Sequence, residues 1–176
     1  MCITDFDARY ARFRVEESAP FLAMLKRHEG AHLEGGRHKA YFCPAGVLTI
    51  GWGHSLEARP VRGLGAGSSI SEAEAESLLR ADLAELAFLL DTRMPWWRGL
   101  GAARSAVILS MAFNLGLSGL LGFRKMLAAV RRNEFEEAAR EMLDSRWAGQ
   151  VGSRARELAA MMKSGKWNDN KKKEEI

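Results

Sequence analysis

The chain has 176 residues, 47% of them hydrophobic, and a formal net charge of +4 at pH 7. That is length and apolar content for one domain with a sizeable core, and two cysteines, Cys2 and Cys43, exclude a disulfide scaffold and suggest free thiols. The positive balance, spread over Arg59, Arg62, Arg124, Lys125, Arg131, Arg132, Arg154 and Arg156, favours an anionic partner such as nucleic acid or a carboxylate- and phosphate-rich bacterial wall, and no nucleic-acid motif supports the former.

Residues 1–17 read as an N-terminal extension. Asp5, Asp7, Arg9, Arg12 and Arg14 leave no apolar leader core there, and Phe6, Tyr10 and Phe13 could form one stripe of a short helix. Over residues 18–29, Phe21, Leu22, Leu25 and the less apolar His28 recur at helical spacing. Ser18 suits the N-cap, Pro20 the first turn and Gly30 the C′ position. Glu29 would then close the helix. The macrodipole is negative at that end, so a carboxylate there is disfavoured, and such a place suits an acid catalyst. A solvated glutamate at a helix end satisfies the same pattern.

Tyr41 and Phe42 precede Cys43, and Pro44-Ala45-Gly46 supplies turn chemistry. Val47, Leu48, Thr49 and Ile50 favour a strand, and Gly51 and Gly53 let the backbone pass close to a neighbour before His54. Residue by residue this is an ordinary hairpin with a core cysteine and a structural histidine. Residues 62–69, rich in glycine and serine, read as a loop. Ser71-Glu72-Ala73-Glu74 is a capping box, and it opens a long helix with Ala75, Leu78, Leu79, Leu83, Leu86 and Leu90 on one stripe, ending near residue 91. Pro95, Trp96 and Trp97 mark a break; tryptophans of a helical lobe belong to its core more often than they stack on sugars. Helices near residues 101–114, 119–131, 134–143 and 154–163 follow, separated by glycines. The apolar run 106–113 falls short of the roughly 20 residues that span a bilayer and reads as a core helix, so stable membrane insertion is not expected. Residues 168–176, with Lys171, Lys172, Lys173, Glu174 and Glu175, read as a charged disordered tail.

The stretch Tyr41-x-Cys43-Pro44-x-Gly46-x-x-Thr49-Ile50-Gly51-x-Gly53-His54, with Glu29-Gly30 upstream, resembles the phage-type lysozymes of glycoside hydrolase family 24. Asn114-Leu115-Gly116, Gly122-Phe123, Phe135 with Ala138-Ala139, Ser145-Arg146-Trp147, Arg154-Ala155, and Gly165 with Trp167 resemble the family's later landmarks in order, so the likeness covers residues 21–167. It implies an α+β, mostly helical, two-lobed fold: a small N-terminal β-hairpin lobe, a long connecting helix and a C-terminal helical lobe, with a muramidase domain over residues 18–167. Carried over by position, Glu29 matches the catalytic acid. Cys43 stands where many members have aspartate, and Thr49 matches the cleft threonine. Phe113 and Asn114 resemble cleft-wall residues that touch the sugar chain, Arg154 resembles the arginine that pairs with the acid, and His54 resembles a buried structural histidine.

Two departures matter. The family motif has eight residues between the glutamate and the aspartate or cysteine, whereas thirteen separate Glu29 from Cys43 and eight separate Glu34 from Cys43. Both glutamates therefore remain candidates. Glu29 is preferred because residues 24–30 match the helix that carries the acid, which makes residues 31–35 a five-residue insertion, and loops tolerate such insertions at little cost. Glu34 lies among Gly30, Gly35 and Gly36, with no rigid element expected to hold it. Cys43 is the second departure: a thiol, with a reference pKa of about 8.5, cannot replace a carboxylate unless it ionises, so the two-carboxylate scheme is incomplete.

The resemblance implies hydrolysis of the β-1,4 bond between N-acetylmuramic acid and N-acetylglucosamine in peptidoglycan by a monomer. It further implies an enzyme held in the host cytoplasm and released to the wall through a holin-type membrane lesion. No His/Cys/Asp cluster has metal-ligand spacing, so no cofactor is expected. Two other readings stay open: a lytic transglycosylase, which uses the same acid without water, and a non-catalytic cationic protein that disrupts walls or membranes.

Overall fold

A computed structural model describes residues 14–168. The expected stripe of Phe6, Tyr10 and Phe13, and the tail from residue 169 on, lie outside the described residues. Among the described residues the chain divides into two compact units, Glu16–Ala87 and residues 88–168 with 14–15.

The first unit opens with a 3-10 turn, Val15–Glu17, and α1, Ala19–Glu29. Ser18 takes the N-cap position, Pro20 lies in the first turn, and the helix buries Phe21, Leu22, Met24 and Leu25. Six short strands follow: β1 Leu33–Glu34, β2 Arg37–Lys39, β3 Tyr41–Phe42, β4 Leu48–Ile50, β5 His54–Ser55 and β6 Ser69–Ile70. They form two three-stranded antiparallel sheets, ordered β1-β2-β6 and β3-β4-β5. The expected hairpin is therefore the core of the second sheet, with Tyr41 opposite Thr49 and Phe42 opposite Leu48. The first sheet corrects the sequence reading twice. Residues 31–35 do not wander as a loop, because the glycine pair Gly35-Gly36 turns β1 back onto β2, and Glu34 sits on a strand. The glycine-rich loop yields Ser69 to β6, which completes the sheet against Lys39.

Helix α2, Glu72–Arg93, begins with the expected capping box: the Ser71 N–H donates to Glu74 Oε2 at 2.7 Å and the Glu74 N–H to Ser71 Oγ at 3.3 Å. Such a cap contributes about 1 kcal/mol. Ala75, Leu79, Leu83 and Leu90 of the stripe are buried, as is Ala87. Gly51 has φ +65, and a Cβ there would lie 3.4 Å from the Cβ of Ala75, so this glycine permits the β4–β5 turn to approach α2. Asp82 is buried on the same face, between Leu79 and Leu83. The chain satisfies it with His54, whose Nδ1 lies 2.9 Å from Asp82 Oδ2, and with Arg59, whose Nη1 lies 3.0 Å from Oδ1. Burial pushes the Asp82 carboxyl above its ordinary range, against the lowering pull of His54 and Arg59. The other ring nitrogen, Nε2, donates to the Arg59 carbonyl at 3.0 Å, so the imidazole ties β5 to α2.

The second unit is helical. A 3-10 turn, Trp97–Leu100, leads into α3, Ala102–Leu121, then α4 Arg124–Arg131, α5 Phe135–Leu143, α6 Arg146–Val151 and α7 Ser153–Ser164. Trp97 is fully buried, as expected of a core tryptophan, and Trp96 half-buried. Helix α3 is the core, with Ala106, Val107, Ile108, Leu109 and Met111 all buried. It is long and apolar enough to cross a membrane by length and composition, a length the run 106–113 did not disclose, yet half of it is buried in protein. Gly116, at φ 72 and ψ 163, interrupts it. The helix expected over 119–131 is split at Gly122 and Phe123, and α6 escaped the sequence reading altogether. Six residues are too few to display a period; α6 is marked instead by its N-cap, where Ser145 Oγ accepts the N–H of Ala148 at 3.1 Å.

Candidate active site

The preferred acid, Glu29, is the last residue of α1, held half-buried by a helix whose other face is locked into the core. Gly30 follows at φ 66, a conformation that glycine adopts without strain, and its N–H closes the helix on the Lys26 carbonyl at 3.0 Å.

Across the same unit, Cys43 opens the β3–β4 turn. Its N–H donates to Val47 O at 3.0 Å and its carbonyl accepts the Gly46 N–H at 2.8 Å. Amide N–H groups of Val47 and Ala45 face the sulfur and, with the Thr49 hydroxyl, hold the half-buried thiol below its usual range by favouring the thiolate. The Thr49 hydroxyl has one proton. It donates to the Val47 carbonyl at 3.0 Å, and the sulfur is its alternative acceptor.

Tyr41, quoted in the motif but not counted among the site residues, belongs with them. It pairs across the hairpin with Thr49. Burial raises its phenol first, and the negative charges of Cys43 and Glu29 raise it further. A phenol raised in this way keeps its proton as a donor.

Glu34 has different surroundings. It is exposed, and its Oε2 lies 2.5 Å from Lys39 Nζ. The Lys39 hydrogen bond, then its charge, pull the Glu34 carboxyl below the ordinary range. A group held ionised in this way is a poor proton donor.

The remaining candidates lie in the second unit. Phe113 is half-buried and Asn114 exposed, the latter accepting Trp147 Nε1–H on its Oδ1 at 2.8 Å. Trp147 also meets Phe123 edge-on, with ring centroids 5.9 Å apart. Arg154 is buried, and its Nη2 donates to Ser110 O at 3.2 Å and Ser110 Oγ at 3.1 Å. Among the described residues no cluster of three or more His, Cys, Asp or Glu side chains could hold a metal ion.

Helix α1 ends on a carboxylate in the same unit as a turn that favours a thiolate and a cross-strand threonine. The chain belongs to the phage lysozyme family of cell-wall glycoside hydrolases: the family's model matches residues 31–164. The match begins just after Glu29 and includes Glu34. The chain is 29% identical over 161 residues to the pre-baseplate central spike protein of Enterobacteria phage T4, a match covering 81% of this chain and 27% of that protein. It is 35% identical over 97 residues to an endolysin of Acyrthosiphon pisum secondary endosymbiont phage 1, covering 55% of this chain and 58% of the relative. A probable T4-type lysozyme of Dictyostelium discoideum is 27% identical over 165 residues, covering 82% of this chain and 94% of the relative.

Proposed function

We propose that this protein hydrolyses the β-1,4 bond between N-acetylmuramic acid and N-acetylglucosamine of peptidoglycan, with Glu29 as the acid. The observation that carries this reading is that α1 ends on Glu29 in the same unit as the turn that holds Cys43 and the strand that carries Thr49. Glu29 gives its proton to the leaving glycosidic oxygen. A water held by Thr49 and Cys43 attacks the anomeric carbon from the other face and passes a proton to the Cys43 thiolate. One carbon–oxygen bond forms as the other breaks, and the anomeric configuration inverts. Phe113 and the exposed amide of Asn114 would contact the sugar chain, whereas Arg154, being buried, would act through its neighbours.

Host-cell lysis as a monomer, from the host cytoplasm through a holin-type lesion, is the biological setting we propose. The endolysin relative by its name supports this role. Reducing-sugar release from purified peptidoglycan by the wild type, Glu29→Gln and Glu34→Gln tests the reading. Loss in Glu29→Gln alone is expected; loss in Glu34→Gln alone would make the ungapped motif the real one. Anhydro-muramic products would turn the case to a transglycosylase, and a retained first-formed anomer by proton NMR would exclude the inverting scheme.

A further inference from the structure

We propose that the hairpin inserted between acid and thiol adds a sugar platform, His32 stacked beside Tyr41, next to the strand pair whose turn carries Cys43. The proposal rests on the glycan-cleaving reading above and names a substrate contact for it.

Register is the first support. In β1–β2, Leu33 stands opposite His38 and Glu34 opposite Arg37. His32 therefore stands opposite Lys39, and the Lys39 N–H indeed donates to the His32 carbonyl at 2.9 Å. Opposed residues of an antiparallel pair share a face, and neighbours along a strand alternate. His32, Glu34, Arg37 and Lys39 thus share one face, and Leu33 and His38 take the other, with His38 buried. Past Ala40 the chain enters β3 of the second sheet, where Tyr41 stands opposite Thr49.

Contact is the second support. The His32 and Tyr41 rings lie 5.2 Å apart between centroids, tilted by 38°. Side-chain satisfaction is the third. Glu34 and Lys39 are paired with each other, and Arg37 donates to Ser69 Oγ and O at 3.3 and 3.2 Å. The exposed His32 imidazole makes no hydrogen bond among the described residues. Two adjoining rings, an imidazole with unused nitrogens and a phenol, suit a pyranose, which offers a C–H face to an aromatic surface and hydroxyl or acetamido groups to the rim. The backbone bond to Lys39, not the imidazole, holds the hairpin, so removing the ring leaves the fold in place.

The test is steady-state kinetics on purified peptidoglycan with the full chain, comparing wild type, His32→Ala and His32→Phe. For His32→Ala, KM is expected to rise about fivefold, the scale of one aromatic contact, with kcat within about twofold. His32→Phe should restore KM. An unchanged KM, or a fall in kcat alone, would overturn the proposal. A second arm measures co-sedimentation with insoluble peptidoglycan in the Glu29→Gln background, with and without His32→Ala. Weaker retention supports the platform and equal retention overturns it. Wild type that releases no reducing ends, combined with weaker retention on loss of His32, would sink the hydrolytic reading and leave the platform standing.

Discussion

The two units solve burial differently. The second unit is held by aliphatic and aromatic packing around α3, whose residues 105–112 are buried. Glu16–Ala87 is a shorter stretch with a smaller core, and it anchors its strands through buried polar groups: Asp82, which reaches buried His54 and the more exposed Arg59, and His38, which reaches the exposed Glu72 at 2.8 Å. Polar anchors hold side chains by direction as well as by contact. The first unit can therefore fix a carboxylate at a helix end, a thiol on a turn and a hydroxyl on a short strand, where apolar packing alone would leave them loosely placed.

If that contrast holds, removing chemistry from the first unit should spare stability. Glu29→Gln should lower peptidoglycan hydrolysis by about a thousandfold, roughly 4 kcal/mol of barrier, with the melting temperature unchanged. Removing an anchor should do the opposite. Asp82→Asn should cost about 3 kcal/mol in urea unfolding at pH 7, because it leaves His54 and Arg59 without their buried charge. A loss below 1 kcal/mol there would break the contrast.

Cys43 sharpens it further. Cys43→Ser should reduce hydrolysis by about ten- to a hundredfold, since a serine hydroxyl does not ionise in the working range. The thiol is held below its usual range, and a thiolate base gains activity as pH rises through that value. Cys43→Asp should therefore move the rising limb of the pH–rate profile to lower pH, because a carboxyl ionises at about 4. An unmoved limb would remove Cys43 from the chemistry.

The second unit supplies a smaller effect. Burial pushes the Asp91 carboxyl up, but hydrogen bonds from Arg98 and Trp97 outweigh it and leave the group lowered. A depressed carboxylate adds stability that is present above its unfolded value of about 4 and is lost as pH falls through the folded one. Asp91 is 43% exposed, so screening limits the gain to about 1 kcal/mol. Thermal melts of wild type and Asp91→Asn should differ at pH 6 and converge as the pH falls through the lowered folded value. Smallest of all, Glu34→Gln should change hydrolysis by less than about twofold, as expected for an exposed ion pair.

Much of the fold was legible because its signals are local. Ser71 and Glu74 cap α2 through a spacing that any reader of the chain can see, and Pro20 and Gly30 bracket α1 through their own backbone preferences. Asp82 could have been found as well, since a carboxylate inside an apolar stripe has to be paired. The β1–β2 hairpin was missed because strands of two and three residues carry no period, and α6 for the same reason.

By itself, then, the sequence determined the helices with full turns, the β3–β4 turn chemistry and the motif that assigns the family. Only tertiary structure paired Glu34 with Lys39, tied His54 to Asp82 and set His32 against Tyr41. The reason is the range of the forces: caps, turns and helical periods act over a few residues, whereas the partner that ionises, buries or stacks a side chain arrives from a distant part of the chain.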